Sequence, residues 1–291
     1  AVAHLERIGD RFFDTDSPVR RACDAEIDSM LKGFDKLAAH AQDLMLIVRR
    51  NLRTPSFLVR FFPIDRDDLG RDAIREALST RDASGMELRS LLCNFFTFLE
   101  HRCGEDERRA YLSAMKAVQT GTHRGDDVLE SYSDDEVQGA STQMLLPNVR
   151  LVNGDVRQET RQRLMLTFNT PFYPEILIAS SVMAEGVDLH LSCRHVIHHD
   201  FCWNPSTLEQ RTGRIDRIGA KVEQCGQPIH VYLPYIAATQ DEKMYRVVMD
   251  RAQWFSIVMG EKMPVDARSA EQIAERVPVP AEMVKELAFR L

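Results

Sequence analysis

The 291-residue chain predicts an α/β fold, a parallel sheet flanked by helices, interrupted by a large helical insertion. Three features predict it. After Pro147 short apolar runs alternate with helix-length segments, the pattern of parallel strands joined by crossover helices. Ahead of that, the stretch from about 65 to 143 is first dense in helix formers and then polar. Residues 204–219, NPSTLEQRTGRIDRIG, form one further helix-sized stretch studded with arginines.

Taken in order, residues 1–40 predict a helical lead-in. Ser17-Pro18 is a helix start, and Ile27, Met30, Leu31, Phe34 and Leu37 recur at helical spacing. Residues 41–64 predict a first buried strand at 44–50 (LMLIVRR), then Asn51 as a turn signal and Thr54-Pro55 as the start of a helix. Residues 65–146 predict the insertion. Its segment 86–102 has the apolar density of a buried helix, whereas Thr120 to Ser141, with Gly121, Gly125, Gly139 and the acidic run Asp134-Asp135-Glu136, predicts a flexible end. Such an insertion serves as a packing module or as a clamp on DNA or a protein partner. Within 147–262, strands are expected at 149–154 and near 175–180, 194–199 and 229–234, with a helix from Glu159 to Phe168. Pro278 and Pro280 precede a short apolar helix in a C-terminal extension, 263–291.

Composition narrows the class. No apolar run approaches the roughly 20 residues of a membrane span, and no signal-peptide pattern opens the chain. The six cysteines form no CxxC pair, which predicts reduced thiols in a cytoplasmic protein. Net charge is −7, but the acid is unevenly placed: residues 1–140 hold 20 Lys and Arg against 26 Asp and Glu, while 141–262 hold 13 against 13. A protein that grips a phosphate backbone needs only a local basic groove, so overall acidity does not exclude nucleic acid.

The arginine-bearing stretch predicts a helix over about 207–217. Ser206 stands three residues ahead of Glu209, as in a capping box, Pro205 precedes it, and Gly219 falls at the C-terminus. On such a helix Gln210, Arg214 and Arg217 share one face, while Leu208, Thr212 and Ile215 share another. Guanidinium forks bind phosphate oxygens bidentately and keep their charge at working pH. A solvated surface helix is the alternative. Gly213 weakens the helix and calls for a packing or close-approach reason.

Residues 210–219 resemble motif VI, QRxGRxxRxG, of superfamily 2 helicases and Swi/Snf-type DNA translocases. Residues 176–190, ILIASSVMAEGVDLH, resemble motif V of those families, and 194–206 their connecting strand and Trp-Asn-Pro turn. The segment from Ile229 to Gly260 is similar to the strand and long helix that close the second motor lobe. The resemblance covers about 149–262 and implies a RecA-like C-terminal lobe of five parallel strands, counting one near residue 46. Asp216 and Ala220 stand where many Swi/Snf members carry His and Gln, which is more like the bacterial branch that includes the RNA-polymerase-recycling ATPases.

The resemblance also implies roles. Arg214 and Arg217 match the arginines that reach the γ-phosphate, and Gln210 the glutamine beside the nucleotide. Gly186 and Asp188 match the motif V residues that touch the ribose or the motif VI arginines. Ser180 and Ser181 match hydroxyls that contact backbone phosphate, a turn-capping role being the alternative. Thr54, by a weaker likeness to motif IV, joins them with Arg49, Arg50 and Arg53 as candidate nucleic-acid contacts.

The implied cofactor is ATP with Mg²⁺, the metal being held by a first lobe outside this chain. No GxxxxGK[ST] occurs, and Asp241-Glu242 only mimics the acidic metal-binding motif. The missing first lobe and the initial alanine are expected of a piece of a longer protein. Implied partners are nucleic acid, foremost double-stranded DNA, the N-terminal lobe, and a protein partner through the insertion.

Competing possibilities remain. His190, Cys193, His195, His198, His199 and Cys202 crowd one stretch, but strand alternation splits them and no knuckle spacing occurs, so no metal is expected. Trp203 either packs in the turn or stacks on a base. As a whole, the chain could instead be a catalytically inert, helicase-like docking module. A small-molecule nucleotide enzyme on a doubly wound sheet would carry GxGxxG after its first strand, and none is present.

Overall fold

The computed structural model describes residues 2–14, 17–62, 72–117, 122–123, 144–145, 149–172, 174–180, 187–199 and 202–258. The chain divides into two compact units, Ala1–Arg194 with Gly213–His230, and His195–Thr212 with Val231–Leu291.

The first unit begins as a bundle of seven helices: α1 (Val2–Phe12), α2 (Pro18–Leu31), α3 (Ala41–Leu52), α4 (Pro55–Phe61), α5 (Asp72–Ser79), α6 (Leu88–His101) and α7 (Glu105–Ala117). Ser17 caps α2 by accepting the Val19 N–H at 3.2 Å, and Ile27, Met30 and Leu31 are buried as their spacing predicts. The strand expected at 44–50 is not formed. These residues lie in α3, where Leu44, Ile47, Val48 and Leu52 are buried while Leu46 faces solvent. Burial at three- and four-residue spacing is that of a helix, so a short apolar run was resolved by its period rather than its composition. The likeness of this region to motif IV is therefore lost, and with it the strand near residue 46.

One core joins the whole bundle. Phe12, Ile27, Leu44, Phe57, Leu58, Ile74, Leu92, Phe96, Leu99 and Met115 belong to it, together with Phe172 from beyond the bundle. The lead-in, the 41–64 segment and the front of the insertion thus form one helical body rather than three separate pieces. Gly9 allows a close approach inside it, because a methyl group there would overlap the Arg53 carbonyl oxygen. Two buried charged side chains find backbone partners. The Glu100 carboxylate accepts the N–H groups of Lys36 and Leu37 at 3.1–3.2 Å, and Arg108 donates to the Leu99 and Cys103 carbonyls at 3.0 and 3.1 Å.

The α/β part of this unit holds β3 (Val149–Val152) and β4 (Ile176–Ala179), parallel and in register from Val149↔Ile176 to Val152↔Ala179. The crossover between them is α8 (Gln158–Phe168), packed against α7. Two short strands, β1 (Thr122–His123) and β2 (Met144–Leu145), pair antiparallel, and α10 (Lys221–Cys225) closes the unit. The polar stretch 124–143 and the extension beyond residue 258 lie outside the described residues.

In the second unit, β5 (His195–Ile197) pairs with β6 (His230–Tyr232), and α9 (Pro205–Thr212) packs on α11 (Gln240–Val258). Four of the five expected strands are therefore present, as two pairs among the described residues. Asp241-Glu242 serves the start of α11: the Thr239 hydroxyl accepts the Asp241 N–H at 3.2 Å and Glu242 accepts the Ala238 N–H at 2.6 Å. No helix among the described residues is long and apolar enough to cross a membrane.

Candidate functional site

The arginine-bearing stretch forms a helix that starts two residues earlier than expected and stops early. Asn204, not Ser206, opens α9, its Oδ1 accepting the Ser206 N–H at 3.1 Å with Pro205 as the first helical residue. The helix ends at Thr212 instead of continuing to 217, and residues 213–219 run as successive turns. Gly213 is the physical reason, since it offers no side chain to the helix and leaves its carbonyl open to the Arg217 Nε, which donates to it at 3.2 Å. The shared helical face of Gln210, Arg214 and Arg217 is therefore not formed. Gln210 is exposed on α9.

The turn carrying Arg214 and Arg217 is anchored instead to the motif V segment. The Leu189 N–H donates to the Arg214 carbonyl at 3.0 Å, and the Lys221 N–H to the His190 carbonyl at 2.8 Å. Between these two backbone bonds the chain bows outward. Ile215, 2% exposed, pins the bow inward, and Gly219 at φ +83° closes it in a conformation that favours glycine. Within it the Arg217 Nη1 forms an ion pair with Asp188. Two of the three guanidinium nitrogens are thus engaged, which orients the fork; the side chain is 36% exposed. Arg214 is half-buried beside it in sequence.

Two further residues belong to this neighbourhood, Asn169, which sequence reasoning missed, and His190, which it weighed only as a metal ligand. Asn169, buried just past α8, donates from Nδ2 to the Asp188 carbonyl at 2.6 Å and accepts the Leu191 N–H at 3.3 Å, so it sets the path of the segment that presents Asp188. An asparagine at a helix end is too common for its partner to be foreseen. His190 lies near Asp188 and Arg217; burial pushes its imidazole below the ordinary value, Asp188 opposing.

The other candidates fall as follows. Gly186 and Ser181 lie outside the described residues. Ser180 is exposed at the C-terminal end of β4, its N–H donating to the Val152 carbonyl at 2.9 Å. Thr54 is buried at the start of α4, its hydroxyl donating to the Asn51 carbonyl at 2.7 Å. Arg49 pairs with Asp24 at 3.1 Å and Arg53 with Asp10 at 3.2 Å, while Arg50 donates to the Lys116 carbonyl at 3.0 Å. None of these four contacts links its residue to Ser180.

In the second unit, the crowded histidines and cysteines have separate duties. His198, 2% exposed, joins the end of β5 to the end of α9 through Nε2 and the Thr212 hydroxyl at 3.2 Å. Burial, then the nearby Arg211, pushes its imidazole below the ordinary value. His195 stacks on Tyr232 with centroids 6.0 Å apart, and Cys202 accepts from Arg211 at 3.4 Å. Among the described residues no three metal-ligating side chains converge. Trp203 is 54% exposed, with the Arg251 guanidinium 5.7 Å from its ring centroid and donating to its carbonyl at 2.7 Å.

Comparison with known proteins points to one family for part of the chain. Residues 123–219 match the helicase conserved C-terminal domain, starting ahead of the boundary expected at 147 and ending at the arginine-bearing turn. The chain is 34% identical over 87 residues to an uncharacterized ATP-dependent helicase, YqhH, of Bacillus subtilis, covering 30% of this chain and 14% of that protein. It is 32% identical over 96 residues to the DNA repair and recombination protein RAD54B of Gallus gallus, covering 33% and 10%. To the RNA polymerase-associated protein RapA of Vibrio cholerae it is 32% identical over 103 residues, covering 35% and 10%. The matched part thus spans 10 to 14% of the length of these relatives. No solved structure matches.

Proposed function

Residues 123–219 being a helicase C-terminal domain of the RecA-like, superfamily 2 kind, we propose that the chain supplies the C-terminal motor lobe of a nucleic-acid-dependent ATPase, a Swi/Snf-like translocase of double-stranded DNA. The observation that carries this is the Arg217–Asp188 pair, which ties the motif VI turn to the motif V segment and orients the guanidinium. The donor set fits a triphosphate. Arg217 and Arg214 would face its terminal phosphoryl group, Asp188 holding the Arg217 fork in register, and Gln210 is assigned to the nucleotide by its sequence position alone. ATP, with Mg²⁺ held by the other lobe, supplies the phosphoryl group whose departure concentrates negative charge. Fixed guanidiniums stabilise that charge without reorganising.

The absence of a phosphate-cradling loop makes this half of a site. Hydrolysis in a two-lobed protein would close and reopen the lobes and so step the groove along the backbone. Ser180, at the carboxyl end of a parallel strand where such sheets place ligands, contributes to that groove, with Ser181 beside it in sequence and Thr54, Arg49, Arg50 and Arg53 as further candidates. The relatives named ATP-dependent helicase support the nucleotide, and the cytoplasm is the compartment this reading implies.

The test is a titration of labelled duplex DNA with this chain at several salt concentrations, repeated with Ser180→Ala and Arg53→Ala. Weak, sequence-independent binding that falls with salt, by about 0.9 log units in affinity per log unit of salt for each phosphate neutralised, is expected. Sequence-specific binding, or binding indifferent to salt and to both changes, would favour the inert docking module.

A further inference from the structure

The helical body grips the arginine turn at two points. Asp82 lies in the loop between α5 and α6, where its Oδ1 accepts the Ser84 N–H at 2.8 Å, the Ser84 hydroxyl at 2.6 Å and the Met86 N–H at 3.1 Å. Backbone bonds from the Asp82 N–H to Met86 and from the Gly85 N–H to Asp82, both 2.9 Å, close that loop. With Oδ1 saturated, Oδ2 faces the Lys221 ammonium at 3.7 Å, the two side chains being 7% and 18% exposed. Lys221 opens α10, and its own N–H holds the His190 carbonyl at 2.8 Å. The second grip is Gln224, which accepts from the α6 residue Asn94 at 3.2 Å and donates to the Gly219 carbonyl at 3.3 Å.

Such a pair is a poor device for stability alone, because a largely buried charge pair rarely outperforms apolar packing, while loss of one partner leaves the other unpaired. Its placement suits orientation. The arginine bow is held at one end by Leu189 and at the other by Lys221, so whatever fixes Lys221 fixes the span that carries Arg217. We propose that Asp82 and Lys221 are positioning residues through which the helical body sets the orientation of the Arg214–Arg217 turn, making that body a regulatory handle on the nucleotide-facing arginines. The orientation claim stands on geometry; its effect on turnover rests on the motor-lobe assignment.

Three variants isolate the pair. Asp82→Asn keeps the Oδ1 acceptor and removes the charge facing Lys221, Lys221→Met removes the ammonium, and Lys221→Arg restores a cation. In the 291-residue chain, hydrogen exchange of peptides covering 213–221 is expected to rise about tenfold in Asp82→Asn and Lys221→Met, with α6 and α7 unchanged and Lys221→Arg like the parent. The double variant should exchange no faster than either single one. In the two-lobed protein the same losses should lower kcat about tenfold with the KM for ATP within about twofold, again rescued by Lys221→Arg. Unchanged exchange in 213–221, or a rise shared equally by α6 and α7, overturns the proposal. If the two-lobed parent turns over no ATP, the motor-lobe assignment fails and the exchange arm alone decides the coupling.

Discussion

At the scale of single residues, the site is a matter of how one guanidinium is held. Asp188 takes Nη1 of Arg217 and the Gly213 carbonyl takes Nε, so charge and hydrogen-bond geometry agree on one orientation. Asp188→Asn keeps an acceptor but loses the charge. It is expected to lower ATP turnover in the two-lobed protein by less than removal of Arg217 itself, and steady-state kinetics of the two variants side by side provide the check; a larger loss from Asp188→Asn would give Asp188 a role of its own at the nucleotide. His198 predicts a pH effect. Its folded-state value lies below the ordinary imidazole value of about 6.5, so on acidification the unfolded chain takes up the proton first. Stability is then fully present above the unfolded value and is lost as pH falls through the folded one. Melting temperature should fall between about pH 7 and pH 5, and His198→Gln should flatten that dependence; an unchanged slope would show that other groups control it.

Among elements, the outcome turned on where a periodic pattern ended. The starts of α2 and α4, the buried helix α6, the crossover α8 and the four strands after Pro147 were legible because their start signals or apolar spacing were cleanly bounded. At 44–50 the run was too short to separate strand from buried helix, and burial of Leu44, Ile47 and Val48 on one side decided it. At 207–217 the chemistry was legible and the geometry was not. Gly213 ended the helix, and the link from Asp188 to Arg217 spans 29 positions that no local pattern joins. Asn169, Asp82 and Lys221 likewise act through partners far away in sequence, which is why nothing in their neighbourhoods announced them. Glycine positions give a direct check on the elements. Gly9→Ala should lower the stability of the helical body by about 1–3 kcal/mol in chemical denaturation, since the obstacle is backbone rather than a side chain that can move aside. Gly219→Ala meets no neighbour but must hold φ +83°, a strain of about 1–2 kcal/mol, and its effect should appear as faster exchange in 213–221. A Gly9→Ala variant as stable as the parent would mean that α1 can retreat from α3.

For the whole molecule, the segment that matches the helicase conserved C-terminal domain follows a helical body whose core runs from Phe12 to Met115 and takes in Phe172. The arginine turn belongs to the same unit as that body, held through Asp82 and Asn94. If the chain supplies only the arginines of a two-lobed site, as proposed, the purified 291 residues, which hold no GxxxxGK[ST] loop, are expected to hydrolyse no ATP. Turnover that survives Arg214→Ala in a contaminant-free sample would contradict the half-site. The most direct measurement is DNA-stimulated ATP turnover by the two-lobed protein with Arg217 intact and with Arg217→Ala, alongside duplex binding by both. Turnover lower by about 10³–10⁵-fold with binding nearly unchanged is the expected result; equal turnover would remove Arg217 from the site.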